Sequence, residues 1–285
     1  MKKLILLSLF LSTALLAKIH TIVSIVPEAT FLKAIGGEHV AVTVMVGIGA
    51  SPHNYEPKPL QMIEVSKAKL YFSIGVEFEK VWLNKFLDLN PKMQTIDLSK
   101  GIQKVHATHH EHEEHGHNSH SCTAHTDPHI WTSPQNVKII VQNIYEALSH
   151  YDPKHQAYYL HNLQLYLAKI DYTHTQITAL LSELPKGRHF MVFHPSWGYF
   201  AQAYDLEQMA VEIEGKSPKP RELIALLQKA KAHKVSAIFT QAEFSDSVAK
   251  IIAKELSIPV IKVSPLAPQW SKNLIDIASA LAGKH

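Results

Sequence analysis

Cysteine is nearly missing from this 285-residue chain: Cys122 is the only one, so no disulfide can form within it. An excess of charge of one sign is missing too. The 28 lysines and arginines stand against 25 aspartates and glutamates, a balance that gives no sign of the basic surface that tracks nucleic acid. An apolar run long enough to span a bilayer is also lacking. The stretch Leu4 to Leu16 covers thirteen residues, where a spanning helix needs about twenty. Lys2 and Lys3 precede it and the small Ala17 follows, so residues 1–17 read as a cleavable secretory signal that sends the chain to the periplasm. Leu15, larger than the side chain usual two residues before the end of a signal, leaves the cut uncertain by a few residues. No cysteine lies there to carry a lipid. Without Lys2 and Lys3 the balance is 26 basic to 25 acidic. A His-Glu-x-x-His run is absent as well. "HEEH" at His112 to His115 has the wrong order and no apolar stripe, which argues against a zinc hydrolase. "GIGASP" puts Pro52 where a dinucleotide-binding turn needs its last glycine.

Histidine, by contrast, is abundant. Eight of the twenty lie between residues 106 and 125, in "HATHHEHEEHGHNSHSCTAH". A segment this rich in imidazole and carboxylate cannot bury enough apolar surface to offset its ordering entropy, which predicts a solvated loop. His106, His109, His110, His112, His115, His117, His120 and His125, with Cys122 as a soft addition, are candidates for weak auxiliary metal sites. A solvated spacer with incidental metal affinity, or a spare thiol at Cys122, is the plainer reading.

Elsewhere short apolar runs alternate with helical patterns, which predicts an α/β chain of mainly parallel sheets flanked by helices. "TIVSIV", "VAVTVMV", "LYFSI" and "MQTID" are the strand candidates of the first half, and "HFMVF", "QMAVEI", "SAIFT" and "PVIKV" those of the second. Between them, residues 153–184 carry Tyr159, Leu163, Tyr166, Ile170, Ile177, Leu181 and Leu184 at helical spacing, broken only between Ile170 and Ile177. The organisation expected is an N-terminal lobe over 18–152, a linker helix over 153–184 capped by Asp152, and a C-terminal lobe over 185–285. A stiff helix of this length should let the lobes move only slightly. A single large sheet with a peripheral helix is the competing pattern.

Three histidines outside the loop share one context: His53 in "GASPHNYEPKP", His129 in "DPHIWTSP" and His194 in "FHPSWGYF". Each adjoins proline and precedes a helical segment, and two follow a strand. Proline restricts the backbone on either side and presents the imidazole. Loops leaving the carboxyl ends of strands are where α/β sheets collect ligands. Any one of these residues could equally be a hydrogen-bonded surface histidine.

These segments, with "TIVSIVPEATFLKAIGGEHVAVTVMV", "LYFSIGVEFEKVW", "EGKSPKPREL" and "IPVIKVSPLAP", resemble the metal-binding solute-binding proteins of ABC importers, in particular their periplasmic zinc-binding, ZnuA-like branch. The resemblance covers nearly all of the chain after residue 17. It implies two α/β lobes joined by a long helix, with one divalent ion between them. His53 and His129 would be ligands from the first lobe, and His194 from the second.

The family commonly has an acidic fourth ligand in an Asp-Pro-Leu context, where this chain has Ser264-Pro265-Leu266, and some zinc members have a glutamate where Pro52 stands. Water is the expected fourth ligand, with Glu28, Gln241 or Glu243 as alternatives. Three imidazoles favour Zn2+ over Mn2+, which prefers oxygen-rich sites. Manganese-carrying members typically have glutamate in place of His194. The expected function is capture of Zn2+ by a monomer and delivery to an inner-membrane permease and its ATPase, with no nucleic-acid partner and no catalysis. A zinc buffer without a transporter and a manganese-binding member are the alternatives. The histidine loop would capture zinc, buffer it or help engage the permease.

Overall fold

The computed structural model describes residues 18–105, 126–212, 216–241 and 243–284. The expected signal (1–17) and the histidine-rich segment (106–125) lie outside the described residues.

The first lobe begins β1 (Ile19–Ile25), α1 (Val26–Gly36), β2 (Val40–Val46), α2 (Pro59–Lys67). It continues β3 (Leu70–Ser73), α3 (Glu77–Leu89), β4 (Gln94–Asp97), and then α4 (Pro134–Tyr151). Its strands pair in parallel in the order β2-β1-β3-β4. Past α5 (Gln156–Leu181) the second lobe repeats the scheme. It runs β5 (Arg188–Val192), α6 (Gly198–Ala203), β6 (Leu206–Ala210), α7 (Pro220–Ala232), β7 (Ile238–Thr240), α8 (Ser247–Leu256), β8 (Val260–Lys262) and α9 (Trp270–Leu281). The order is β6-β5-β7-β8, again parallel. Two separate four-stranded sheets therefore replace the single large sheet of the competing pattern.

Alternation along β5 shows how the second sheet is clothed. Phe190 and Val192 join a core that runs from the first lobe through α5 and α9, while Met191 and Phe193 face a second core under α7 and α8. A parallel sheet buried on both faces reads as a continuous apolar run, which is why these strands are conspicuous in the sequence. β6 is the exception in register. It lies at Leu206–Ala210, ahead of the expected "QMAVEI". The chain beyond it stays attached outside the ladder, with Val211 N–H donating to the Val192 carbonyl at 2.8 Å and Glu212 N–H to the Phe193 carbonyl at 3.1 Å.

The 26 residues of α5 extend about 39 Å at 1.5 Å per residue. Its buried stripe is Tyr159, Leu163, Tyr166, Ile170, Thr173, Ile177 and Leu181. Thr173 fills the break in the apolar spacing. Its hydroxyl lies 2.8 Å from the Lys169 carbonyl and 2.6 Å from Ser271 Oγ on α9, so a polar residue is satisfied inside the seam. The helix starts later than the sequence suggests. Pro153–His155 form a 3-10 turn, and the Asp152 carboxylate caps no amide. It accepts instead from His155 Nδ1 at 2.6 Å and Tyr159 Oη at 2.8 Å, because those side chains curl back over it.

Candidate metal centre

The two lobes meet in a cleft lined on one side by residues 51–53, 76–77, 128–129 and 131. The other side is His194, Gln241, Glu243, Phe244, Pro265 and Leu266. Each of the three proline-flanked histidines reaches it from its own loop. His53 comes from the loop between β2 and α2, His129 from just ahead of the 3-10 turn Ile130–Thr132, and His194 from two residues beyond β5. Nε2 of His53 lies 3.4 Å from Nε2 of His194. The His129 and His194 ring centroids are 5.3 Å apart. Among the described residues no three His, Cys, Asp or Glu side chains stand together as a finished metal-holding group. The arrangement is a pair in contact with a third ring beside it.

Behind these rings stand carboxylates to which the sequence reading gave no role. His194 Nδ1 is 2.6 Å from Glu212 Oε1, and His129 Nδ1 is 2.7 Å from Asp127 Oδ1, which also accepts the His129 backbone N–H at 2.9 Å. A carboxylate against Nδ1 requires the proton there and leaves the Nε2 lone pair free, the tautomer a metal ion needs. Glu77, the first residue of α3, is 3.6 Å from His53 Nδ1. This third pairing is looser and wetter: the His53 side chain is 40% exposed, while those of His129 and His194 are 11% exposed. Partial burial lowers the pKa of His53. Glu77 opposes the drop, and the His194 and His129 rings reinforce it. A lowered pKa favours the neutral imidazole that can coordinate.

Aromatic packing and hydrogen bonds fix the rest of the wall. His194 stacks on Phe244 with centroids 4.9 Å apart. The Trp131 indole N–H donates to the Pro265 carbonyl at 2.8 Å, and that of Trp270 donates to the Trp131 carbonyl at 2.7 Å, which ties the two sides of the cleft together. Gln241 donates through Nε2 to Ser196 Oγ at 2.5 Å, and Glu243 accepts from Ser264 Oγ at 2.8 Å. Both line the cleft. Glu28 does not: it is fully buried at the start of α1, where Oε2 accepts the Ile25 N–H at 2.9 Å. Val105 and Asp127, on either side of residues 106–125, are joined beside the centre. Asp127 N–H donates to the Val105 carbonyl at 2.9 Å, and Tyr199 Oη donates to the Asp127 carbonyl at 3.1 Å.

The family described as the periplasmic zinc-uptake complex component A, ZnuA, matches residues 22–281. The chain belongs to that family. A crystal structure of ZnuA superposes with a TM-score of 0.83 at 37% identity, over 92% of this chain and 97% of that one. Among sequence relatives, the metal ABC transporter substrate-binding lipoprotein SloC of Streptococcus mutans is 30% identical over 83% of this chain and 76% of its own. The zinc-binding protein AdcA of Streptococcus pyogenes is 29% identical over 90% of this chain and 52% of its own. The manganese ABC transporter substrate-binding lipoprotein scaA of Streptococcus gordonii is 26% identical over 83% and 76%. The ZnuA-like chain is thus a metal-binding solute-binding component of an ABC transporter, with a permease and an ATPase as its partners. The family is extracytoplasmic and not a family of enzymes. No helix among the described residues is long and apolar enough to cross a membrane.

Proposed function

We propose that this protein is a monomeric periplasmic carrier that captures Zn2+ in the interlobe cleft on His53, His129 and His194 and hands it to the inner-membrane permease. The 3.4 Å between Nε2 of His53 and Nε2 of His194 carries the reading. A tetrahedral zinc with nitrogens at 2.0–2.1 Å sets its ligand nitrogens about 3.3–3.4 Å apart. The pair, drawn from opposite lobes, therefore has the spacing of two zinc ligands, and the His129 ring must turn in to complete the set. His53 is the most open of the three and is the natural first contact for an arriving ion. His194, backed by Glu212, is the preorganised anchor, and His129, whose ring is oriented by Asp127, joins as it turns in.

Three imidazoles support zinc over manganese, whose preferred donors are carboxylate, carbonyl and water. The histidine-rich segment, attached beside Asp127, would gather zinc at weak sites and pass it to the cleft. Protons compete for those sites, so capture fades as pH falls through the histidine range. Calorimetric titration of metal-stripped protein without residues 1–17, with and without residues 106–125, tests the scheme. One tight zinc site that survives the deletion, together with weak sites that vanish, is the expected result. A tight site that disappears with the segment would overturn it.

A further inference from the structure

We propose that Glu243 is the fourth, anionic donor to the ion, completing the three-histidine site on which this inference rests. Glu243 lies in the loop after β7 and lines the same cleft as His53, His129 and His194. Ser264, just beyond β8, holds one of its oxygens. The Ser264 hydroxyl receives the Leu266 N–H at 3.1 Å and gives its own proton to Glu243 Oε1 at 2.8 Å. The other oxygen, Oε2, is shut off from solvent and has no hydrogen-bond partner among the described residues.

An orphaned carboxylate oxygen is costly and calls for an explanation. Among the described residues none of the ion pairs involves Glu243. Zinc accepts glutamate oxygen at about 2.0–2.2 Å beside imidazole nitrogen, so a cation in the cleft would satisfy Oε2. The clamp from Ser264 leaves Oε2 the free end, which suits one-oxygen coordination.

The other cleft donors serve differently. Gln241 Oε1 is also unpartnered, but an amide oxygen is neutral, and its Nε2 is committed to Ser196. Glu77, 37% exposed, is turned toward His53 Nδ1, the nitrogen away from the His53–His194 contact. Glu28 is outside the cleft.

The test compares wild type, Glu243→Gln, Ser264→Ala and His194→Ala as full chains without residues 1–17. Zinc affinity is measured by competition with a strong chelator, so that weak sites contribute nothing. Co2+ serves as a spectroscopic probe of the ligand set, and melting of the metal-free proteins serves as the folding control. Expected for Glu243→Gln is a zinc affinity lowered at least as much as by loss of a supporting carboxylate, about 10–100-fold. An altered Co2+ visible spectrum and an undiminished metal-free melting temperature should accompany it. Ser264→Ala, which frees the carboxylate without removing it, should give a smaller loss and keep the wild-type Co2+ spectrum. If Glu243→Gln keeps wild-type affinity and spectrum while His194→Ala loses the site, Glu243 is not a ligand and the three histidines stand without it. If His194→Ala also binds like wild type, the three-histidine reading fails and the fourth ligand falls with it.

Discussion

Gly198, at the first position of α6, lies so close to Asp127 that a Cβ built on it would stand 2.7 Å from the Asp127 Oδ2 oxygen. The carboxylate that orients His129 is thereby held against a backbone from the other lobe. Gly198→Ala should push Asp127 aside and weaken zinc binding, by a factor of roughly 10–100 if the His129 orientation is lost, without altering any coordinating residue. Chelator competition reads the loss. Unchanged affinity would show that Asp127 is free to shift without consequence for the ring.

Glu212 is the corresponding support for His194. Glu212→Gln can still accept a hydrogen bond from Nδ1 but removes the charge, so a loss of about 10-fold or more in affinity is expected, with the metal-free fold retained. Circular dichroism and the zinc titration together separate this from unfolding.

Replacing a nitrogen donor by oxygen should move the metal preference. His194→Glu is expected to lower zinc affinity and raise the ratio of manganese to zinc bound in a competition at fixed total metal. A ratio equal to wild type would mean that His194 does not set selectivity.

The first lobe carries a pH-sensitive cost at the ends of β1 and β3. Glu28 is raised well above the usual carboxylate range, first by burial and then by the neighbouring Glu79, and its Oε1 has no partner. Glu79 is raised in the same direction by burial, although Ser24 Oγ at 2.5 Å and the Ile74 and Gly75 amides oppose it. A carboxyl whose folded pKa exceeds its unfolded value contributes stability that is complete below about pH 4.3 and is lost as pH rises through the folded value. The metal-free protein should therefore lose unfolding free energy over that interval. Glu28→Gln, which keeps an acceptor for the Ile25 amide, should flatten the slope. Urea titrations at several pH values check this, and an unchanged slope would assign the dependence to other groups.

Much of the fold is legible in the sequence because of how it is buried. Among the described strands, β1 is buried at all but one position and β3 throughout, so apolar runs such as "TIVSIV" and "LYFSI" announce themselves, while β4 is largely exposed. Thr173 hides in the α5 pattern because a hydrogen-bonded hydroxyl can occupy a core position that an apolar count skips. The candidate ligands are visible through their proline-flanked contexts. Their supports are less so: Glu212 looks like an ordinary member of a strand, and only the path after β6 turns it onto His194. Asp127 sits in plain view two residues before His129, and its spacing is the signal that could have identified it. Nothing local relates Glu243 to Ser264, since 21 residues and a helix separate them.

The long helix α5, packed along its length against α1, α4 and α9, makes the two lobes nearly one solid. A carrier built this way is expected to keep almost the same silhouette full or empty. A transporter that must engage the loaded form would then not recognise it by a jaw that has swung shut. The message that cargo is aboard would have to be written in a few side chains and short loops around the rim. By the same reasoning, unloading would be a local prying apart of ligands at the docked face, and the stiff spine would let a small push there be felt directly at the ion.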